Sequence, residues 1–140
     1  MKNIILILVA TTLVNCKYLS LLHSDKNLTK KIETEFLSDA KIVDFSNFDT
    51  FAWDELLILA PYSSINLYEK ELQLNLKNIR GHKIEMYDSF NLIVFLKNGK
   101  SVKISEFPLL TGYFKNSGIR IKKDNAKFII SSNKSIQLVK

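Results

Sequence analysis

Residues 91–105 read Asn91-Leu92-Ile93-Val94-Phe95-Leu96-Lys97-Asn98-Gly99-Lys100-Ser101-Val102-Lys103-Ile104-Ser105. Asn91 to Leu96 is a strongly apolar run of strand length. Asn98-Gly99 follows, and both residues tolerate the positive φ of a type I′ hairpin turn. The return arm carries Val102 and Ile104 on one face. The stretch predicts an antiparallel hairpin, and the rest of the chain is read outward from it.

Upstream, Leu56-Leu57-Ile58-Leu59-Ala60 runs without a polar break inside Trp53 to Ala60, as in a strand buried on both faces. Pro61 ends it. Ser63 or Ser64 can then cap a helix that begins at Ile65. Ile65, Tyr68, Leu72, Leu76 and Ile79 would share one face of that helix, and Gly81 sits where a C-cap is wanted. Leu72, Leu74 and Leu76 also alternate as in a strand, but length and caps favour helix. Further upstream, Leu28, Ile32, Phe36, Leu37 and Ala40 fall at helical spacing over 27–40, with Asp25 or Asn27 near the N-cap. Lys41 to Phe45 reads as a short extended piece, and Phe48 and Phe51 as core plugs.

Downstream, Phe107-Pro108 breaks the return arm and Thr111-Gly112 marks a loop. Ile119 and Ile121 alternate with Arg120 and Lys122. Asp124-Asn125 turns into Lys127 to Ser131, and Asn133 into Ser135 to Val139. The expected fold is α+β, with two helices packed on one face of an antiparallel sheet of about five or six strands. Leu57, Leu59, Leu72, Leu76, Val94, Leu96, Val102, Ile104 and Phe128 are its expected core.

The N-terminus has a different character. Met1-Lys2-Asn3 precedes an apolar run from Ile4 to Val14, then Asn15 and Cys16. The run is shorter than the roughly 20 residues a membrane-spanning helix needs. It has the parts of a secretory signal. Leu13-Val14-Asn15-Cys16 stands where a lipobox would, with Asn15 where Gly, Ala or Ser is usual. The segment resembles the signal peptide of a bacterial lipoprotein. That resemblance implies a signal peptide over 1–15, a tether over 16–26 carrying lipid on Cys16, and a single domain over 27–140. It places the protein in the cell envelope, held to the membrane, with Lys17 after the cysteine favouring the outer membrane facing the periplasm. Cys16 is the chain's sole cysteine, so no intramolecular disulfide is available.

Charge is unevenly placed. Of 20 basic residues, all but Lys2 lie beyond the signal, and 19 against 14 acidic residues gives a net of +5 there. Lys115 to Lys140 holds seven basic residues against Asp124 alone. Alternating strands that point lysines at water account for this pattern. The functional alternative is a basic contact patch of Arg120, Lys122, Lys123 and Lys127, suited to an acidic protein or an anionic lipid surface. Nucleic acid is not an expected partner for an exported lipoprotein.

No P-loop, dinucleotide-binding glycine pattern or G-x-S-x-G elbow is present, and neither His23 nor His82 has a metal-ligand spacing. No catalytic residue, cofactor or metal is expected. Both histidines read as surface residues. Trp53-Asp54-Glu55-Leu56 followed by Pro61-Tyr62-Ser63-Ser64 gives the pattern W-D-x-L-x-x-x-x-P-Y-[ST]-S. It resembles a group of small uncharacterised bacterial lipoproteins over roughly residues 40–110. That group brings no assigned activity. Trp53 and Tyr62 are expected to wedge helix against sheet, and Asp54 to satisfy a turn or pair with a lysine. Adjacent strand residues face opposite ways, so Asp54 and Glu55 should not meet. The leading functional expectation is a non-enzymatic envelope lipoprotein that binds a macromolecule, as immunity proteins do. The alternatives are a small envelope hydrolase using a carboxylate such as Asp54 or Glu55, and a purely structural envelope component.

Overall fold

The structure is a computed structural model that describes residues 21–140. The expected signal peptide, with Cys16, lies outside the described residues. In chain order the elements are α1 (Lys26–Leu37), β1 (Val43–Asp44), β2 (Glu55–Leu59), α2 (Ile65–Glu71), β3 (Phe90–Lys97), β4 (Lys100–Pro108), β5 (Tyr113–Phe114), β6 (Arg120–Lys122), β7 (Lys127–Ile130) and β8 (Ser135–Leu138).

The expected α+β class is what the structure has. The strands, however, form two sheets of four, in the orders β4-β3-β2-β6 and β1-β7-β8-β5. The first is antiparallel throughout, while β5 runs parallel to β8 in the second. The helices also cover opposite faces of the first sheet. Leu28, Ile32 and Phe36 of α1 pack with Leu56, Ile58, Ile93 and Phe95. Ile65 of α2 packs with Leu57, Leu59, Leu92 and Val94. Successive strand residues point to opposite faces, so the two groups lie on either side of one sheet. The reason is in β2 and β3, which are apolar at consecutive positions and need a cover on each side.

Local chemistry sets the element ends. The Asp25 carboxylate accepts a hydrogen bond from the Leu28 N–H at 3.0 Å and caps α1. Leu37 and Ala40, read as part of the apolar stripe, are exposed and lie at or beyond its end. Ser64 caps α2 by accepting from the Leu67 N–H. Asn98 and Gly99 have φ of 50° and 74°, the left-handed values that a type I′ turn requires.

The segment 65–79 departs from a single helix. It is helical only to Glu71, and Gln73 takes φ of 53°. Asn75 then forms a bridge to Lys100 beside the hairpin turn, its N–H donating to the Gly99 carbonyl at 2.8 Å. Leu74 and Leu76 are buried there, while Leu72 is only partly so. The open edge of β4 offered backbone partners that a longer helix would have left unmet. Gly81 therefore caps no helix. Val102 is also only partly buried, and the other expected core residues are buried.

The described residues of the expected tether before α1, 21–25, are docked. Leu22 N–H donates to the Asn78 carbonyl at 3.0 Å, Ser24 bridges to Ile104, and Asp25 N–H donates to the Ile104 carbonyl at 3.0 Å. The tether thus runs along the outer edge of β4.

Asp25→Ala is expected to lower stability by about 0.5–2 kcal/mol in urea denaturation, and Asp25→Asn by much less, because Asn also caps. The Leu28 N–H holds the Asp25 carboxyl below its ordinary 3.8, against burial and with help from Lys103. A lowered folded pKa contributes stability above the unfolded value that is lost as pH falls through the folded one. Asp25→Asn should therefore reduce the loss of stability on acidification below that ordinary value.

Candidate functional site

At the end of β2 nearest the hairpin turn, Trp53 is buried, and its Nε1–H donates to the Phe48 carbonyl at 2.7 Å. Its ring stands edge-on to Phe95 at 5.1 Å, and Lys123 Nζ lies 4.9 Å from its centre. Asp54 joins two neighbours through its backbone. Its N–H donates to the Leu96 carbonyl at 2.9 Å, and its carbonyl accepts from the Lys123 N–H at 2.8 Å. Its Oδ2 accepts from the Asn98 N–H at 3.1 Å and lies 3.5 Å from Lys97 Nζ. Asp54 thus both satisfies the hairpin turn and pairs with a lysine. Its Oδ1 is buried with no hydrogen-bond partner among the described residues.

Glu55 is held differently. Arg120 Nε lies 3.2 Å from both its carboxylate oxygens, and Arg120 Nη2 also donates to Oε2. Arg120 Nη1 donates to the Leu72 carbonyl at 3.2 Å. The hydrogen bonds that Arg120 donates to Glu55 push the Arg120 pKa still higher, against the opposing effect of burial. Register explains the meeting, because β6 pairs with β2 so that Glu55 is opposite Lys122 and Leu57 opposite Arg120. Ile121 points into the core between two outward basic residues.

These groups surround a depression of about 470 Å³. Trp53, Asp54, Glu55 and the Asn98-Gly99 turn form one side, and Arg120, Lys122, Lys123 and Asp124 the other. Three of the four basic candidates therefore meet. The fourth, Lys127, lies in the second sheet, 3.7 Å from Asp44. The basic run in the sequence becomes a surface of alternating sign, because Asp54, Glu55 and Asp124 stand among the cations. Asp54 and Glu55 do border one depression, contrary to strict alternation, since Asp54 precedes the first residue of β2. Separate partners hold them. Tyr62 is no wedge: it is exposed, in a left-handed turn with φ of 63°.

His82 was legible only as a residue after a glycine, and its neighbourhood is not a simple surface. Its side chain is 10% exposed. Nδ1 accepts from the Ile84 N–H at 3.2 Å, which assigns the proton to Nε2, 2.8 Å from Glu106 Oε1. The pair borders a cavity of about 450 Å³ walled by Leu21, Leu22, Ile79, Tyr87 and Phe90, with His23 at its margin. His82 and Glu106 are 24 residues apart, so no local pattern announced the pair.

No family model matches the chain, and no solved structure matches it. It is similar to a protein named ferrochelatase from Wigglesworthia glossinidia brevipalpis, with 33% identity over 86 residues. The match takes in 55% of this chain and 27% of that protein, so the chain spans about a quarter of the length of this relative. Among the described residues, no three His, Cys, Asp or Glu side chains group as a metal site.

Trp53→Ala is expected to cost about 3–5 kcal/mol in urea denaturation, as a large-to-small core change that also orphans the Phe48 carbonyl. Asp54→Asn keeps an acceptor for the Asn98 N–H and should cost about 1 kcal/mol or less.

Proposed function

We propose that this chain is a lipid-anchored protein of the bacterial cell envelope that works by binding a macromolecule rather than by catalysis. The anchor is lipid on Cys16, with the domain at the outer membrane facing the periplasm. The observation that carries the binding reading is the way the candidate carboxylates are engaged. Glu55 is clamped by Arg120, and Asp54 serves the hairpin turn and Lys97. Acid–base chemistry asks for carboxylates positioned against a substrate and free to exchange a proton. Here they hold strands in register.

Sheet order favours a protein partner over an anionic lipid surface. The tether lies along β4 at one edge of the sheet, and Arg120 and Lys122 lie on β6 at the other. Three strand spacings, about 14 Å, separate these edges. A chain anchored through the tether turns its β6 edge away from the membrane. Lys122 and Lys123 then offer charge to an acidic protein, as an immunity protein would to its toxin. The stretch shared with the ferrochelatase is 27% of that protein, and no activity is carried over from it.

Two measurements test this reading. Metabolic palmitate labelling should mark the parent and be lost in Cys16→Ala; label that persists in Cys16→Ala contradicts the anchor. Affinity capture from intact envelopes should recover an acidic protein with the parent and lose it with Lys122→Glu and Lys123→Glu combined. The capture should weaken as salt rises, because exposed charges are screened beyond a Debye length of roughly 8 Å. Identical capture by parent and variant contradicts the binding edge. A folded Asp54→Asn variant that loses a hydrolytic activity would move the assignment to an enzyme.

A further inference from the structure

We infer that the face formed by Leu21, Met86, Tyr87 and Leu110 rests on the phospholipid bilayer that holds the anchor. The inference rests on the lipid attachment proposed above. Five residue steps separate Cys16 from Leu21. An extended chain covers at most about 3.6 Å per residue, so Leu21 lies within about 18 Å of the lipidated residue. Leu21 is not free to swing away from the domain, because Leu22 is hydrogen-bonded to Asn78 and Ser24 is bridged to Ile104. The side of the domain that carries Leu21 is therefore kept beside the membrane.

That side presents apolar groups to solvent. Leu110 is 84% exposed and Met86 71%. Leu21 and Tyr87 are exposed as well, and both border the His82 cavity. Leu110 borders an adjoining depression that shares Phe90 and Glu106 with that cavity. Leu21, Tyr87 and Leu110 are thus neighbours on one surface, and Met86 adjoins Tyr87 in the chain. A contiguous exposed apolar patch marks an interaction site, and Tyr is at home among lipid headgroups.

The rim chemistry fits the same occupant. Lys83 borders the His82 cavity, and Lys26 and Lys30 border a shallow hollow that also reaches Glu106. Basic residues at this level are attracted by anionic headgroups. Asp88, Glu33 and Glu106 stand there too, but Glu106 is engaged by His82 and Glu33 accepts a hydrogen bond from the Thr111 hydroxyl. A polar rim around exposed leucine, methionine and tyrosine suits a surface that sinks to the headgroup boundary without spanning the bilayer. Among the described residues no helix is long and apolar enough to cross a membrane.

The test uses the lipidated full-length chain. With its sole cysteine acylated, an introduced cysteine is the one free thiol. Leu110→Cys, Met86→Cys and Ile129→Cys are labelled with an environment-sensitive fluorophore in vesicles of phosphatidylethanolamine and phosphatidylglycerol containing spin-labelled lipid. All three positions are exposed, so the core is untouched. Ile129 lies on β7 of the second sheet and serves as the control. The expected result is blue-shifted, quenched emission at Leu110→Cys and Met86→Cys and water-like emission at Ile129→Cys. Equal quenching at all three, with palmitate still incorporated at Cys16, overturns the face and leaves the anchor standing. Absence of palmitate overturns the anchor and the face together.

Discussion

The pairing of β2 with β3 leaves neither face of those strands to water. Leu56, Ile58, Ile93 and Phe95 point one way, and Leu57, Leu59, Leu92, Val94 and Leu96 the other. Burying a side chain of this kind contributes roughly 1.5–3 kcal/mol, so two bare faces would be a large penalty. Each face acquires its own cover. One is aromatic and is supplied by α1 and the second sheet. Phe45 sits at its centre, with the rings of Phe36, Phe48, Phe95, Phe114 and Phe128 within 6.5 Å of it. The other is aliphatic and is supplied by α2 and the irregular chain around Leu74 to Ile84.

The two proposed contact surfaces follow from that frame. Asp54 and the hairpin turn are fixed because they close the end of a pair that cannot shift register without exposing its apolar residues. β6 then pairs with β2 and brings Arg120 onto Glu55. This ion pair is partly exposed, and pairs of that kind contribute little stability. Its consequence is positional, since it holds the arginine in the depression and ties it to the Leu72 carbonyl. At the opposite edge, β4 is used up by the tether and by Asn75. One edge is occupied by the chain around Ser24 and by Asn75, and the proposed charged recognition uses the other.

Much of this was legible locally. Asn98-Gly99 named its own turn, the helix starts were narrowed to Asp25 or Asn27 and to Ser63 or Ser64, of which Asp25 and Ser64 are the caps, and the unbroken run Leu56 to Ala60 named a doubly buried strand. Those readings depend on spacing over a few residues. The division into two sheets was not legible, because β1 and β5 are two-residue strands defined by partners far along the chain. The stretch Leu72 to Leu76 carried both helical and strand periodicities, and the β4 edge decided between them. In the candidate site, Trp53, Asp54 and the Arg120–Lys123 group stood out as sequence features. Their convergence with the hairpin turn, the Glu55 clamp and the His82–Glu106 pair came from strand register. The basic quarter is a count of charges along the chain, and the carboxylates of Asp54 and Glu55 that stand among Arg120, Lys122 and Lys123 come from a different strand.

The dependence of the whole fold on the β2–β3 pair is tested most directly by native-state amide hydrogen exchange. The account predicts that the amides of Leu57, Ile58, Ile93 and Val94 exchange only by global unfolding, with the slowest rates in the protein. Amides of β6 and of the Leu72–Leu76 segment should open at lower free energy. If β2 and β3 instead open locally while the second sheet stays protected, the frame lies elsewhere and this account of the fold is wrong.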